Sequence, residues 1–165
     1  MESNPRVTAH VQHEIRACSF QHDAIVPMIH QRIEVDLEMS VKANCRPGVN
    51  DVLIMPWYTS SLNKCPSGNF TNIAIQGKRI MRALEYIHGE GYVHLDVKRT
   101  NIFVTSDKMW YLGDFGSCKS IGQRVTSSTF QFCYENIAFQ TAKVIYDWFM
   151  FLLLVLIETL AALSF

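Results

Sequence analysis

The chain has 165 residues, 48% of them hydrophobic and 18% charged, with 15 basic and 15 acidic side chains. This length can bury a single core, and the balanced charge, without a basic patch interleaved with aromatic residues, argues against a nucleic-acid partner. The five cysteines form no CxxC pair and follow no recognisable signal peptide, so we expect reduced thiols and a cytoplasmic protein.

The first element that the residues predict is a buried strand over residues 52–55. Pro47 and Gly48 indicate a turn between strands before it. A turn over residues 56–58 follows it, and the segment NKCPSGN is typical of a loop that precedes a helix.

A long amphipathic helix is predicted next. Gly89 and Gly91 mark its end. Its apolar residues recur at helical spacing, which predicts one buried face. They are Ile73, Ile80, Ala83, Leu84 and Ile87.

Two short apolar runs, residues 102–104 and 109–112, predict a hairpin because the polar segment TSDK separates them. Such a hairpin carries Asn101, before its first strand, and Asp114, after its second, to the same end. Residues far apart in sequence would thereby become neighbours.

The octet HLDVKRTN and the later triplet Asp114-Phe115-Gly116 carry the chemistry of the chain. A carboxylate at Asp96 could accept the proton of a substrate hydroxyl, and Lys98 could neutralise a transferring phosphate. Asn101 and Asp114 offer the hard oxygen ligands that Mg²⁺ shares with phosphate groups. The order and spacing of these residues suit phosphoryl transfer from a nucleotide.

In these residues the chain resembles the eukaryotic protein kinases. The resemblance implies that Asp96 and Lys98 are catalytic, that Lys98, Asn101 and Asp114 bind ATP, and that Asn101 and Asp114 hold Mg²⁺. Lysine at position 98 is similar to the serine/threonine class, so the implied partner is a protein with a hydroxyl side chain. Leu95 stands where most kinases have arginine, which implies less dependence on a phosphate in the activation segment.

The resemblance also implies an adenine site. The strand over residues 52–55 is similar to the last strand of the small lobe, which makes Met55 the gatekeeper. The main chain beside Trp57 and Tyr58 would face the base, with Phe103 in the same nucleotide site. Pro56 has no N–H to donate, so hydrogen bonds to adenine would come from its carbonyl and its neighbours.

Residues 10–29 resemble helix C followed by strand 4. Glu14 is then the candidate for the glutamate that pairs with the lysine of strand 3, although a surface glutamate on any helix fits the pattern as well. Downstream, the run from Gly113 predicts an activation segment in which only the glutamate of the family's APE motif is kept. Its hydroxyls available for phosphorylation are Thr126, Ser127, Ser128 and Thr129.

No GxGxxG occurs in the sequence, and no lysine precedes Glu14. The resemblance therefore implies an α+β, two-lobed protein-kinase fold that is truncated at both ends and mainly helical in its large lobe. We expect residues 1–58 to form part of the small lobe, with helix C, strands 4 and 5 and the hinge. Residues 59–165 would form part of the large lobe, from helix E to helix F.

The apolar run over residues 148–165 has two interpretations. It is nearly long enough to span a bilayer, which would make it a membrane anchor. Glu158 near its middle would cost about 2.5 kcal/mol or more in lipid. Asp147 stands where helix F of kinases begins, and it would brace the catalytic loop from below. We favour a buried helix F over an anchor.

Three functions thus remain open from the sequence. The first is an ATP- and Mg²⁺-dependent serine/threonine protein kinase, favoured by the four residues Asp96, Lys98, Asn101 and Asp114. The second is a pseudokinase or truncated scaffold without catalysis, favoured by the missing glycine-rich loop and lysine. The third is a polypeptide anchored in a membrane by its C-terminal helix.

Overall fold

The computed structural model describes residues 5–43, 47–67, 69–125 and 141–163. Four helices organise these residues: α1 (Pro5–Ala17), α2 (Leu37–Ala43), α3 (Phe70–Gly89) and α4 (Val144–Leu163). The strands are β1 (Ile29–Val35), β2 (Gly48–Ile54), β3 (Ser60–Ser61), β4 (Tyr92–Val93), β5 (Ile102–Val104), β6 (Trp110–Leu112) and β7 (Lys119–Ser120). Mixed helix and sheet confirm the predicted α+β class.

Strands β1 and β2 form an antiparallel pair in register from Ile29 opposite Ile54 to Val35 opposite Gly48. The strand predicted over residues 52–55 is therefore longer at its start and ends one residue earlier. Its predicted burial is wrong, because Val52 and Leu53 are only partly buried and Ile54 is exposed; the two-stranded sheet leaves this strand partly open to solvent. The placement of strand 4 within residues 10–29 is wrong, because β1 begins only at Ile29. The apolar residues before β1 form backbone hydrogen bonds with the end of β6 instead. The Val26 N–H donates to Leu112 O, and the Leu112 N–H donates to Ala24 O.

Helix α2 lies between β1 and β2, where the sequence predicted only a turn. Asp36 caps it, since its Oδ1 accepts the Met39 N–H at 2.8 Å. Glu38 and Lys42 form an ion pair one helical turn apart, which supports this short helix. Gly48 follows the connection with φ of 108°, a conformation that glycine adopts without strain.

Helix α3 confirms the predicted amphipathic helix. Asn69 caps its first turn by accepting the N–H groups of Thr71 and Asn72. All five apolar residues predicted for the buried face are buried. The helix ends at Gly89, and Gly91 follows with φ of 84°.

Strands β5 and β6 form the predicted hairpin, with Ile102 opposite Leu112 and Val104 opposite Trp110. Strand β3 pairs with the outer side of β5. Trp110 and Leu112 are buried in the main core, which also contains the apolar face of α3. The hairpin is thus held firmly enough to fix the positions of the residues at its ends.

Helix α4 begins three residues before Asp147 and packs against α3. Among the described residues it is the one helix long and apolar enough to cross a membrane. Yet its two acidic side chains, Asp147 and Glu158, are fully buried in the protein. Asp147 contacts the segment after β4, and Glu158 contacts Ser67 and Arg99.

Candidate active site

Asp96 lies in the loop after β4 and is almost completely buried. Its Oδ2 accepts a hydrogen bond from Asn101 Nδ2 at 2.9 Å and lies 2.9 Å from Lys98 Nζ. Asn101 Nδ2 also donates to Asp96 O at 2.9 Å, which fixes the loop between the two residues. Asp96 Oδ1 is buried and has no hydrogen-bond partner within the described ranges. One carboxylate oxygen is thus anchored, and the other is buried with its capacity to accept a hydrogen bond unused.

The hairpin brings Asn101 next to the segment that holds Asp114. The Gly113 N–H donates to Asn101 O at 3.0 Å. Asp114 follows in the left-handed conformation, with φ of 59° and ψ of 74°, and its side chain is exposed. At this residue the backbone turns away from β6 and enters the short helical turn over residues 115–117. The hairpin therefore brings Asn101 and Asp114 to the same end, as predicted.

His94 joins the same site from below. Its Nε2 lies 3.2 Å from Gly113 O, and its ring packs 4.8 Å, centroid to centroid, from that of Phe115. Complete burial lowers the pKa of His94 below its usual value, although the carboxylates of Asp147, Asp96 and Asp114 act in the opposite direction. A neutral imidazole here links the catalytic loop to the residue before Asp114.

Asp147 braces the catalytic loop, as predicted. Its Oδ2 accepts the His94 N–H and its Oδ1 accepts the Leu95 N–H, each at 2.8 Å. His88 Nε2 lies 2.8 Å from the same Oδ2 and connects α3 to this support. The three contacts fix the backbone immediately before Asp96.

Leu95 is fully buried and adopts φ of 65°, a conformation uncommon for a residue with a side chain. Its side chain lies in a small apolar cluster with Val93, Val125 and Ala142. Two of these residues flank the segment from 126 to 140. At the position where the family usually has arginine, this chain therefore has a leucine that packs in an apolar cluster.

Glu14 on α1 faces the Asp114 segment. Burial, followed by the nearby Asp114 carboxylate, raises the pKa of Glu14 from 4.5 to about 7, while backbone hydrogen bonds at Gly116 and Phe115 act against this. The two carboxyl groups also hydrogen-bond each other. His13 Nδ1, one residue earlier, lies 3.0 Å from Gly116 O. Glu14 is thus a site-facing residue rather than a surface glutamate.

The residues predicted to hold adenine differ in how far they are packed against the rest of the protein. Tyr58 packs against Phe103, with ring centroids 5.4 Å apart, and burial raises the pKa of its hydroxyl. The Phe103 ring covers Gly113 so closely that an added Cβ would lie 2.6 Å from it. Met55 is half exposed, and Trp57 is 93% exposed. Phe103 lies against Gly113, the residue before Asp114, whereas nucleotide contact by Met55, Trp57, Tyr58 and Phe103 stays a prediction.

The donor chemistry of the site fits a divalent metal bound to nucleotide. Asn101 and Asp114 supply amide and carboxylate oxygens, which are the ligands that Mg²⁺ prefers. The Asp114 carboxylate contributes to the raised pKa of Glu14, so the two groups repel each other when both are ionised. A cation at this position would remove that repulsion.

Several site residues were not found from the sequence. His88 and His94 are histidines without a diagnostic spacing, and only the fold brings them to Asp147 and Gly113. The contact of Glu14 with Asp114 depends on the docking of α1. The predicted phosphorylation sites 126–129 and the APE-like residues 133–135 lie outside the described residues.

Comparison with known proteins identifies the family. Residues 4–139 match the protein kinase domain. The chain is 31% identical over 111 residues to the serine/threonine-protein kinase US3 of human herpesvirus 1, a match that covers 64% of this chain and 20% of that protein. It is 39% identical over 49 residues to the serine/threonine-protein kinase mos of Gymnogyps californianus, covering 30% of this chain and 24% of the relative. The chain belongs to the protein kinase family.

The US3 kinase of human herpesvirus 2 is covered over 21% of its length. The chain thus spans about one fifth of the length of these herpesvirus proteins. Members of this family transfer phosphate from ATP with the help of divalent metal ions.

Proposed function

We propose that this chain carries the catalytic loop and metal-binding segment of a serine/threonine protein kinase. The observation that carries the proposal is the asymmetry of Asp96. Its Oδ2 is held by Asn101 and Lys98, and its buried Oδ1 lacks a hydrogen-bond partner among the described residues. A substrate hydroxyl can supply the missing donor, which would orient its oxygen for attack on a phosphate.

The other residues have complementary roles in this proposal. Mg²⁺ bound with ATP would supply charge neutralisation for the phosphates. Asn101 and Asp114 would hold that metal, and Lys98 would balance the charge that develops on the transferred group. Tyr58 and Phe103 would contact the base. Asp147 and His94 keep the loop in the required geometry.

A second candidate is a kinase-like scaffold without catalysis. It is favoured by the direct contact of Glu14 with Asp114. Glu14, the candidate partner of the strand 3 lysine, here interacts with the carboxyl group of Asp114 instead. Such a protein could keep the fold, and even nucleotide affinity, without turnover.

Phosphotransfer from radiolabelled ATP separates the two candidates. The full-length product of the reading frame is assayed on a generic serine/threonine substrate, together with its Asp114→Ala variant. The proposal expects turnover that falls by about 100-fold or more in Asp114→Ala, because the metal loses a ligand. Asp107→Ala, in the exposed turn of the hairpin, is the matched control.

Two outcomes would decide against the catalytic role. Undiminished turnover in Asp114→Ala would contradict the metal site assigned to this residue. Nucleotide binding without any phosphotransfer by the unaltered protein would favour the scaffold.

A further inference from the structure

A cavity of about 290 Å³ opens beside Lys98, between the catalytic loop and helix α4. We call it the Lys98 pocket. Its floor is apolar, because the buried side chains of Val97, Met150 and Leu154 form it. Leu153 and Ile157, which are partly exposed, form the side nearer to the solvent.

The Lys98 pocket adjoins the proposed site of phosphoryl transfer through Lys98. Lys98 contributes to its wall, and the Nζ of the same side chain lies 2.9 Å from Asp96 Oδ2. Val97, in the pocket floor, directly follows Asp96. Because Lys98 both contacts Asp96 and lines the pocket, a polypeptide whose hydroxyl reaches Asp96 would bring a nearby side chain close to the pocket.

The charges around the pocket do not favour a basic side chain. Glu158 is fully buried, lies 2.6 Å from Arg99 Nε without hydrogen-bond geometry, and accepts the Ser67 N–H at 2.9 Å. Its charge is thus balanced inside the protein. The charged side chains that line the pocket are Lys98 and Arg99, both cations. An incoming lysine or arginine would meet apolar carbon and positive charge.

The size of the pocket suits one large apolar group. An engineered apolar cavity of about 150 Å³ is sufficient to bind benzene, so this volume can accept a side chain the size of leucine, methionine or phenylalanine. Burial of such a side chain changes affinity by about tenfold or more.

We propose that the Lys98 pocket is a specificity pocket that takes a large apolar side chain of the acceptor polypeptide, close in sequence to the phosphorylated serine or threonine. The pocket rejects lysine and arginine at the same position. This inference rests on the proposed kinase function, and it names the class of substrate that the site selects.

Binding of labelled peptides to the full-length product tests the proposal without requiring turnover. Each peptide contains one serine, and a single leucine is moved stepwise along either side of it in an otherwise alanine- and glycine-based sequence. At one position, leucine should increase the affinity about tenfold over alanine, as measured by fluorescence anisotropy. Lysine at that position should bind no better than alanine.

Substitutions at the pocket make the test specific. Leu153→Asp should abolish the preference for leucine and shift it towards lysine, because a carboxylate replaces apolar carbon at the mouth. Leu153→Phe should weaken the leucine peptide by filling the pocket, without any change of charge. Leu156→Asp is the matched control, since Leu156 is exposed on the same helix and does not line the pocket. Circular dichroism confirms that each variant is folded.

The results separate this inference from the kinase function itself. Equal affinity for leucine and alanine at every position, or a leucine preference that survives both Leu153 variants, would overturn the specificity pocket. If phosphotransfer occurs without any preference, only the pocket is wrong. If the preference is found but no phosphotransfer occurs, the catalytic function is wrong and the pocket is a peptide-binding site.

Discussion

At the scale of single residues, two carboxylates of the candidate site, Asp96 and Asp114, differ in their surroundings. Asp96 uses one oxygen for internal contacts, and its other oxygen is buried without a hydrogen-bond partner among the described residues. Asp114, by contrast, is exposed and faces another carboxyl group, that of Glu14. We propose that the first arrangement positions a substrate and that the second suits a bound cation.

The Glu14–Asp114 contact predicts a dependence of stability on pH. The pKa of Glu14 is about 7 in the folded protein and 4.5 as its ordinary value, so folding takes up a proton between these values. Stability should therefore fall as the pH rises from about 4.5 to 7, and it should not fall further from this cause at higher pH. Glu14→Gln keeps a hydrogen bond to Asp114 but removes the titration.

The comparison is made by urea unfolding in metal-free buffer at pH 5 and pH 8. Glu14→Gln should be more stable than the unaltered chain at pH 8, and the difference should shrink at pH 5. Glu85→Gln on α3 serves as the control for loss of a carboxylate. A difference that is the same at both pH values would show that Glu14 does not titrate in this range.

At the scale of elements, helix α4 positions the catalytic loop through Asp147. Asp147→Ala would leave the buried N–H groups of His94 and Leu95 without acceptors. Each unsatisfied buried donor costs about 1–3 kcal/mol, so we expect a loss of about 3 kcal/mol in the free energy of unfolding. Denaturant titration measures this loss, and the exposed Asp107→Ala is the control.

Asp147→Asn should be less damaging than Asp147→Ala, since an amide keeps one oxygen as an acceptor. Equal stability of Asp147→Ala and the unaltered protein would show that the loop does not need this support.

The elements also show what the sequence could and could not predict. Helix α3 and the β5–β6 hairpin were predictable because their apolar periodicity and flanking turn residues agree with the contacts that they make. Helix α2 was missed although Asp36 and the Glu38–Lys42 pair are recognisable signals, because it is short. The start of β1 was misplaced because the preceding apolar residues pack on Leu112, a contact that no local pattern records.

The same distinction holds within the site. Asp96, Lys98, Asn101 and Asp114 have a characteristic order in the sequence, and the structure brings the first three into direct contact. The Glu14–Asp114 and His88–Asp147 contacts join residues on separate elements. They depend on how helices dock, which single residues do not indicate.

At the scale of the whole molecule, helix α4 is only partly covered. Asp147, Met150 and Leu154 are buried in the protein, whereas the opposite face is apolar and exposed. The residues of this exposed face are Ile145, Phe149, Leu152, Leu156, Leu160 and Leu163. An uncovered apolar stripe of this length favours association or adsorption.

Residues 1–165 expressed alone should therefore be poorly soluble and catalytically silent. The sequence contains neither a glycine-rich loop nor a lysine before Glu14, and correct placement of reactants can account for about 7–11 kcal/mol of a barrier. Replacing Leu152, Leu156 and Leu160 with glutamine should improve solubility, as measured by size-exclusion chromatography, without restoring turnover. A monodisperse unaltered chain that phosphorylates a generic substrate in an Asp96-dependent way would contradict this expectation.

The central claim is that Asp96 accepts the proton of the substrate hydroxyl. The most direct test is to measure phosphotransfer by the Asp96→Asn variant of the full-length product. The variant retains the size of the side chain, and nucleotide binding should be nearly unchanged. We expect turnover to fall by about 100-fold or more, while Asp107→Asn, the same substitution in an exposed turn, remains active. Turnover by Asp96→Asn equal to that of the Asp107→Asn control would contradict the role assigned to Asp96.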